Sequence, residues 1–304
     1  MWLGKKYFWI FLTVILGYSC SESDRPNMEL FEENGENPNE SSQSEPTTIN
    51  IDTSDLKDLP EDTGGVHMAY PLGANEAVFG HHVYTPSGYT EDGPEYPLLI
   101  FLHGWDPSGY TGSDEDELHE VLIGTTPPGL IKKNKWNPSY PFIVVSPRLK
   151  TAYWPHQQIH DFIKYIIDNY QVNTSRIYLT GLSLGGGGTW YYIGERGLDN
   201  YAAAIVPISA RGEERIIDNL TDIPIWAFHG DSDNTVLAFQ NYGSVPLVQF
   251  INNKNPNVKA RVTVFRNTGH DAWSRTYSDA FSSDVIYNPF DVSIYDWMLQ
   301  FKKE

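Results

Sequence analysis

The chain has one cysteine in 304 residues, Cys20, so no intramolecular disulfide can brace it. It is poor in positive charge. Its 21 Lys and Arg face 39 Asp and Glu, a net charge of −18, and the sequence pI near 4.8 excludes the basic surface that a nucleic-acid partner requires. The apolar run from Tyr7 to Gly17 is too short to span a bilayer unaided. No repeat of solenoid period is visible. The pattern H-E-x-x-H is absent, and no Lys-Ser/Thr follows the glycine run at 185–188, which excludes two common metal and phosphate motifs.

What is present divides the chain into three parts. Residues 1–20 carry Lys5 and Lys6, the apolar run, then small residues before Cys20, the layout of a secretory signal. Leu16-Gly17-Tyr18-Ser19-Cys20 resembles a bacterial lipobox, which implies lipidation at Cys20; Tyr18 is bulkier than that motif usually has, and Leu16 sits one place early. Residues 21–62 hold thirteen carboxylates against Arg25 and Lys57, with few large apolar side chains, and read as an acidic, disordered tether. Acidity just after the cysteine is similar to the export signal of surface lipoproteins in Bacteroidetes-type bacteria. The expected location is therefore the outer membrane or cell surface, otherwise the periplasm or medium, with membrane contact only through an N-terminal lipid. Residues 63–304 are long enough for one large domain.

That domain alternates short apolar runs with helix-like stretches. Strands are expected at 77–86, 97–104, 141–147, 176–181, 202–209, 224–230 and 258–265, and helices at 156–170, 187–196, 235–252 and 291–303. Several strands are almost continuously apolar, as strands covered on both faces are. The alternation predicts an α/β fold with a mostly parallel central sheet and helices on both faces. In such a sheet reactive groups gather beyond the carboxyl ends of the strands.

Gly181-Leu182-Ser183-Leu184-Gly185 lies directly after a strand and before a helix. G-x-S-x-G in that context matches a nucleophile elbow, where small residues flank a serine held in a tight turn. A serine needs a base, and the base needs a third group to orient it. His270, after the last strand with Gly269 beside it, is the expected base. Asp231 and Asp233 both follow the preceding strand. Asp233 is the expected acid and Asp231 the residue that ties the loop together. The backbone N–H groups of Leu184 and of Trp105, in "FLHGWDPSG", are the expected oxyanion donors. His103 in that loop reads as a brace.

The segments "LLIFLHGW", "RIYLTGLSLGGGGTW", "AFHGDSDNTV" and "TGHDAWSRTY" together resemble the α/β-hydrolase superfamily. They are similar in particular to its esterase-like branch, with feruloyl and acetylxylan esterases, polyhydroxybutyrate-depolymerase-type esterases and bacterial predicted peptidases. The likeness covers roughly residues 77–302. It implies a serine carboxylic-ester hydrolase working through an acyl-enzyme, with no cofactor and a glycan or small-molecule ester as partner. Asn234 replaces a proline frequent in the family, and the elbow carries extra glycines. Two other functions fit the same residues: a serine peptidase of this fold, and a catalytically silent surface glycan-binding lipoprotein.

The chain is rich in aromatics, with nine Trp and nineteen Tyr. Trp105, Trp154 and Trp273 fall in loops near the expected site, where a ring can stack on a sugar or an aryl acyl group. Arg148 is placed to meet a carboxylate such as a uronic acid, or to form a surface salt bridge. His156 and His160 share a helix face without a third ligand. His81 and His82 alternate to opposite faces of a strand, so no metal is expected at either pair. The segment 108–135 is expected at the rim of the pocket.

Overall fold

The computed structural model describes residues 52–108, 111–119, 121–122, 124–240 and 242–304. The signal expected at 1–20, with Cys20, and the tether over residues 21–51 lie outside the described residues.

Among the described residues nine strands form one sheet. In chain order the elements are β1 (Val66–Tyr70), β2 (His81–Thr85), β3 (Tyr96–Leu102), α1 (Glu115–His119), α2 (Pro127–Lys132), β4 (Ile143–Pro147), α3 (His156–Asn169), β5 (Val172–Leu182), α4 (Leu184–Arg196), β6 (Ala204–Ile208), β7 (Trp226–Gly230), α5 (Ser244–Asn253), β8 (Arg261–Phe265), α6 (Trp273–Tyr277), β9 (Val285–Tyr287) and α7 (Ile294–Met298). The sheet order is β1-β2-β4-β3-β5-β6-β7-β8-β9. The run from β4 to β8 is parallel, while β1, β2 and β9 pair antiparallel at the edges.

Every residue of β3 is buried. Alternation sends Leu98, Ile100 and Leu102 to one face and Leu99 and Phe101 to the other. The first face is covered by α3, α4 and α5, the second by α2, α6 and α7. In α3 the buried residues Ile159, Phe162, Ile163 and Ile166 recur at helical spacing, so one stripe faces the sheet. The chain leaves β3 toward β4 on one side and returns to β5 on the other. This reversal creates a crevice at the carboxyl ends of β3 and β5, where ligands bind in open α/β sheets.

Three expectations change. Residues 52–62 are folded onto the domain and do not belong to a tether. Leu56 is buried, Asp55 accepts from the buried guanidinium of Arg176 at 2.6 Å, and the Tyr84 hydroxyl donates to Asp62 at 2.6 Å. The helix expected at 235–252 begins only at Ser244, because Asp233 captures the amides of Thr235 and Val236 in a local turn. The edge strands β1 and β9 were not expected; each has one face open, and their half-exposed side chains weaken the apolar pattern.

Candidate active site

Ser183 stands between β5 and α4 with φ 52° and ψ −116°, a conformation that a non-glycine residue rarely adopts. Its neighbours make this turn sterically feasible. A Cβ on Gly181 would lie 2.4 Å from the Gly185 carbonyl oxygen, and one on Gly185 would lie 2.0 Å from that of Leu102. The surplus glycines divide further. Gly188 leaves room for Trp154, whose Cβ would be 2.7 Å from an added methyl, whereas Gly187 faces open space.

Ser183 Oγ lies 2.8 Å from His270 Nε2, and His270 Nδ1 lies 2.8 Å from Asp233 Oδ2. The three side chains come from the ends of β5, β7 and β8 and meet at one sheet edge. Close contact between the last two loops needs Gly230, where a Cβ would lie 2.2 Å from two carbonyl oxygens of Thr268 and Gly269. Asp233 Oδ1 accepts from the amides of Thr235 and Val236 at 2.8 and 2.9 Å. Burial alone would raise the Asp233 pKa. Donation by His229, His270 and the two amides more than offsets this and holds the carboxyl far below the usual carboxylate range. Asp231 instead accepts from Ser232 Oγ at 2.8 Å and from the Thr268 amide, tying two loops together.

His229, which no sequence motif singles out, also reaches the acid. Its Nε2 lies 3.1 Å from Asp233 Oδ2 and 2.9 Å from the Val236 carbonyl, and its Nδ1 lies 2.8 Å from Ser244 Oγ. A histidine in a strand otherwise made of buried apolar residues was the available signal, since a fully buried polar ring requires partners.

The loop after β3 is fixed from below. His103 is buried, which lowers its pKa to about 4 and keeps the ring neutral. Its Nδ1 donates to the Gly104 carbonyl at 2.6 Å, and its Nε2 accepts from the Leu149 amide at 2.9 Å. Trp154 Nε1 donates to the His103 carbonyl at 3.1 Å, and its ring meets that of His103 edge-on at 5.2 Å. Trp154 is buried, so the expectation of an open stacking ring is corrected: it is a wall and a brace. Arg148 is likewise buried and paired with Asp106 and Ser108. The salt bridge expected of Arg148 is formed, with Asp106, but its guanidinium is buried rather than at the surface and staples the same loop.

Trp105 is 69% exposed and separates two cavities that meet at Ser183. One, of about 600 Å³, is lined by Leu184, Gly187 and Gly188 of α4, Tyr153 and Trp154, and a charged group including Arg211 and Arg215. The other, of about 520 Å³, is lined by His270 and Trp273 and by Val121, Gly124 and Thr126 of the segment expected at the rim. Trp273 meets the His270 ring perpendicularly at 5.2 Å. His81 packs on Tyr70 and Phe162, and His82 on His67 and His119, on opposite faces of β2. His160 stacks on Tyr201. No group of potential metal ligands is assembled among the described residues.

No protein-family model matches the chain. A stretch of 167 residues is 30% identical to the bifunctional acetylxylan esterase/xylanase of Neocallimastix patriciarum, covering 52% of this chain and 22% of that protein. Among solved structures, a thermostable esterase superposes with a TM-score of 0.56 at 22% identity over 79% of this chain and 63% of the other. The feruloyl esterase module from Clostridium thermocellum, complexed with sinapinate, superposes with a TM-score of 0.52 at 18% identity over 82% and 92%. The chain thus spans about a fifth of the curated relative and somewhat under two thirds of the first of these structures. It has the α/β-hydrolase fold.

Proposed function

We propose that the chain is a serine carboxylic-ester hydrolase that removes acyl groups from a polysaccharide or oligosaccharide. The observation that carries this reading is the unbroken hydrogen-bonded run Ser183–His270–Asp233 at the junction of two cavities. The substrate class leans on similarity to proteins named acetylxylan and feruloyl esterase.

In the proposed reaction Ser183 Oγ attacks the ester carbonyl while His270 Nε2 takes its proton. Asp233 orients the imidazole and stabilises the imidazolium. The N–H groups of Leu184 and Trp105 hold the oxyanion, a contribution of a few kcal/mol each for well-aimed donors. Collapse of the tetrahedral intermediate releases the alcohol, which takes the proton back from His270. Water then enters with His270 as base, and the acid leaves as Ser183 is restored. Bracing of the Trp105 loop by His103, Trp154 and Arg148 supports preorganised donors, since a loose donor loses most of its effect. Trp105 and Trp273 are the rings offered to substrate. Lipidation at Cys20, and with it a cell-envelope location, belongs to the same proposal; mass analysis of the mature N-terminus tests it. Among the described residues no helix is long and apolar enough to cross a membrane.

The test is a parallel assay of acetylated xylan, a feruloylated sugar and a peptide amide with wild type and Ser183→Ala. Turnover of at least one ester by wild type alone is expected. Turnover of the amide in preference makes the protein a peptidase. Binding of xylan without turnover of any substrate makes it a glycan-binding protein.

A further inference from the structure

Resting on the esterase reading, we infer that the cavity beside α4 takes the acyl group and fits an acyl group bearing an anion, which Arg211 receives. The two cavities share Ser183 and Trp105, but only the smaller is lined by His270. The leaving alkoxide must collect a proton from His270 Nε2, so the alcohol side of the ester occupies the smaller cavity. The acyl side then extends into the larger one.

Part of that larger cavity is apolar, with Trp154, Pro155, Gly187 and Val236 in its wall. The rest carries two arginines and two glutamates. Arg215 is paired with both glutamates: Nη1 with Glu195, and Nε 2.8 Å from Glu213 Oε2, while the guanidinium sits 5.5 Å from the centre of the Tyr191 ring. Both carboxylates are therefore engaged. Arg211 is exposed and has neither an ion pair nor a side-chain hydrogen bond among the described residues. Arg211 lines the same cavity wall as Tyr191 and Glu213. Its backbone is held by a bridge to Gly243.

A permanently charged, planar donor set left unmatched in an acyl cavity suits a carboxylate. The net charge of −18 repels anions at long range, so selectivity for one must come from a local cation of this kind. The carboxylate receptor that Arg148 offered in the sequence is thus supplied by Arg211, on the acyl side of Ser183.

The experiment compares 4-nitrophenyl hydrogen adipate and suberate with their methyl-capped diesters, which match them in length and lack the charge. Wild type is expected to favour the acid-tailed ester in kcat/KM by roughly tenfold, the scale of one charge-assisted hydrogen bond. In Arg211→Gln that ratio falls close to one, and Arg211→Lys retains part of it. A wild-type ratio near one, or a ratio unchanged by Arg211→Gln, overturns the inference while leaving the esterase reading intact. No turnover of either ester by wild type that still hydrolyses 4-nitrophenyl acetate overturns the inference alone, and loss of acetate turnover as well refutes the esterase reading with it. If Arg211→Gln fails to melt cooperatively, the wild-type ratio and Arg211→Lys decide.

Discussion

Asp233 receives four donors: two backbone amides on Oδ1, and His270 and His229 on Oδ2. A carboxylate so enclosed cannot rotate without breaking several bonds, and the imidazole it holds is fixed with it. Of the two side-chain donors, His229 is the one whose removal leaves the Ser183–His270–Asp233 run formally complete. His229→Leu removes one donor from Oδ2 and loosens the acid without deleting it, so kcat is expected to fall by about tenfold with KM little changed. Steady-state kinetics on one ester checks this; equal kcat in both proteins shows that the two amides suffice. At this scale the sequence was most informative where chemistry is tied to a turn. Ser183, Asp233 and His270 were legible because each follows a strand in the order the elbow demands. The roles of Arg148 and Trp154 were not, since their burial depends on the loop folding back over them. His229 was legible only as a polar ring in an apolar strand, because its partners Asp233, Val236 and Ser244 are set by how the chain from β7 to α5 folds back.

Helix α4 begins with glycines whose tasks differ. An alanine methyl at Gly188 would collide with Trp154 at 2.7–2.9 Å, and Trp154 holds the His103 carbonyl in the loop after β3. Gly188→Ala is expected to lower both thermal stability and kcat. At Gly187 the methyl meets nothing within 4 Å. Gly187→Ala should therefore raise stability by about 0.5–1 kcal/mol through helix propensity, while narrowing the range of acyl groups that fit beside it. Thermal melts and an acyl-chain series on both variants separate the two positions. Just after α6, Asp279 carries a different strain. Burial, with Asp296 nearby and only Ser293 in opposition, raises its pKa to about 6, and its Oδ1 has no hydrogen-bond partner. A carboxyl that holds its proton more tightly when folded destabilises the fold as pH rises from its unfolded value through its folded one. Asp279→Asn is expected to raise stability by about 1 kcal/mol near neutral pH and to change little near pH 4, as melts across that range would show.

Across the whole molecule, the sheet order and the two apolar layers follow from strand composition, which is why the architecture was legible from the long buried runs of β3, β4 and β6. The edges were not, because β1 and β9 have little to bury. The start of the domain was misjudged for a related reason: residues 52–62 are held by ion pairs more than by apolar burial, and charge alone reads as solvated chain. Arg176 has no exposed side-chain surface, and it donates to Asp55 from Nε and Nη2 at 2.6 and 2.7 Å and to the Leu299 carbonyl at 2.8 Å. This links the first described segment, the central strand and the end of the chain. Asp55→Ala strands a buried guanidinium, so a loss of about 3 kcal/mol and a drop in Tm of several degrees are expected. Donation from Arg176, with Lys302 in support, overcomes the cost of burial and holds the Asp55 pKa well below the ordinary value. The contribution is complete above the ordinary carboxylate pKa and is lost as pH falls below it. A Tm unchanged by Asp55→Ala would show that the segment is only laid against the surface.

In the proposed reaction Ser183 is the nucleophile, activated by His270 and held for attack on an ester. The most direct measurement is hydrolysis of 4-nitrophenyl acetate by wild type and by Ser183→Ala, each verified as folded by its melt. The predicted result is turnover by wild type and a fall in kcat of at least about a thousandfold in the variant. Equal rates in the two proteins would show that Ser183 is not the nucleophile.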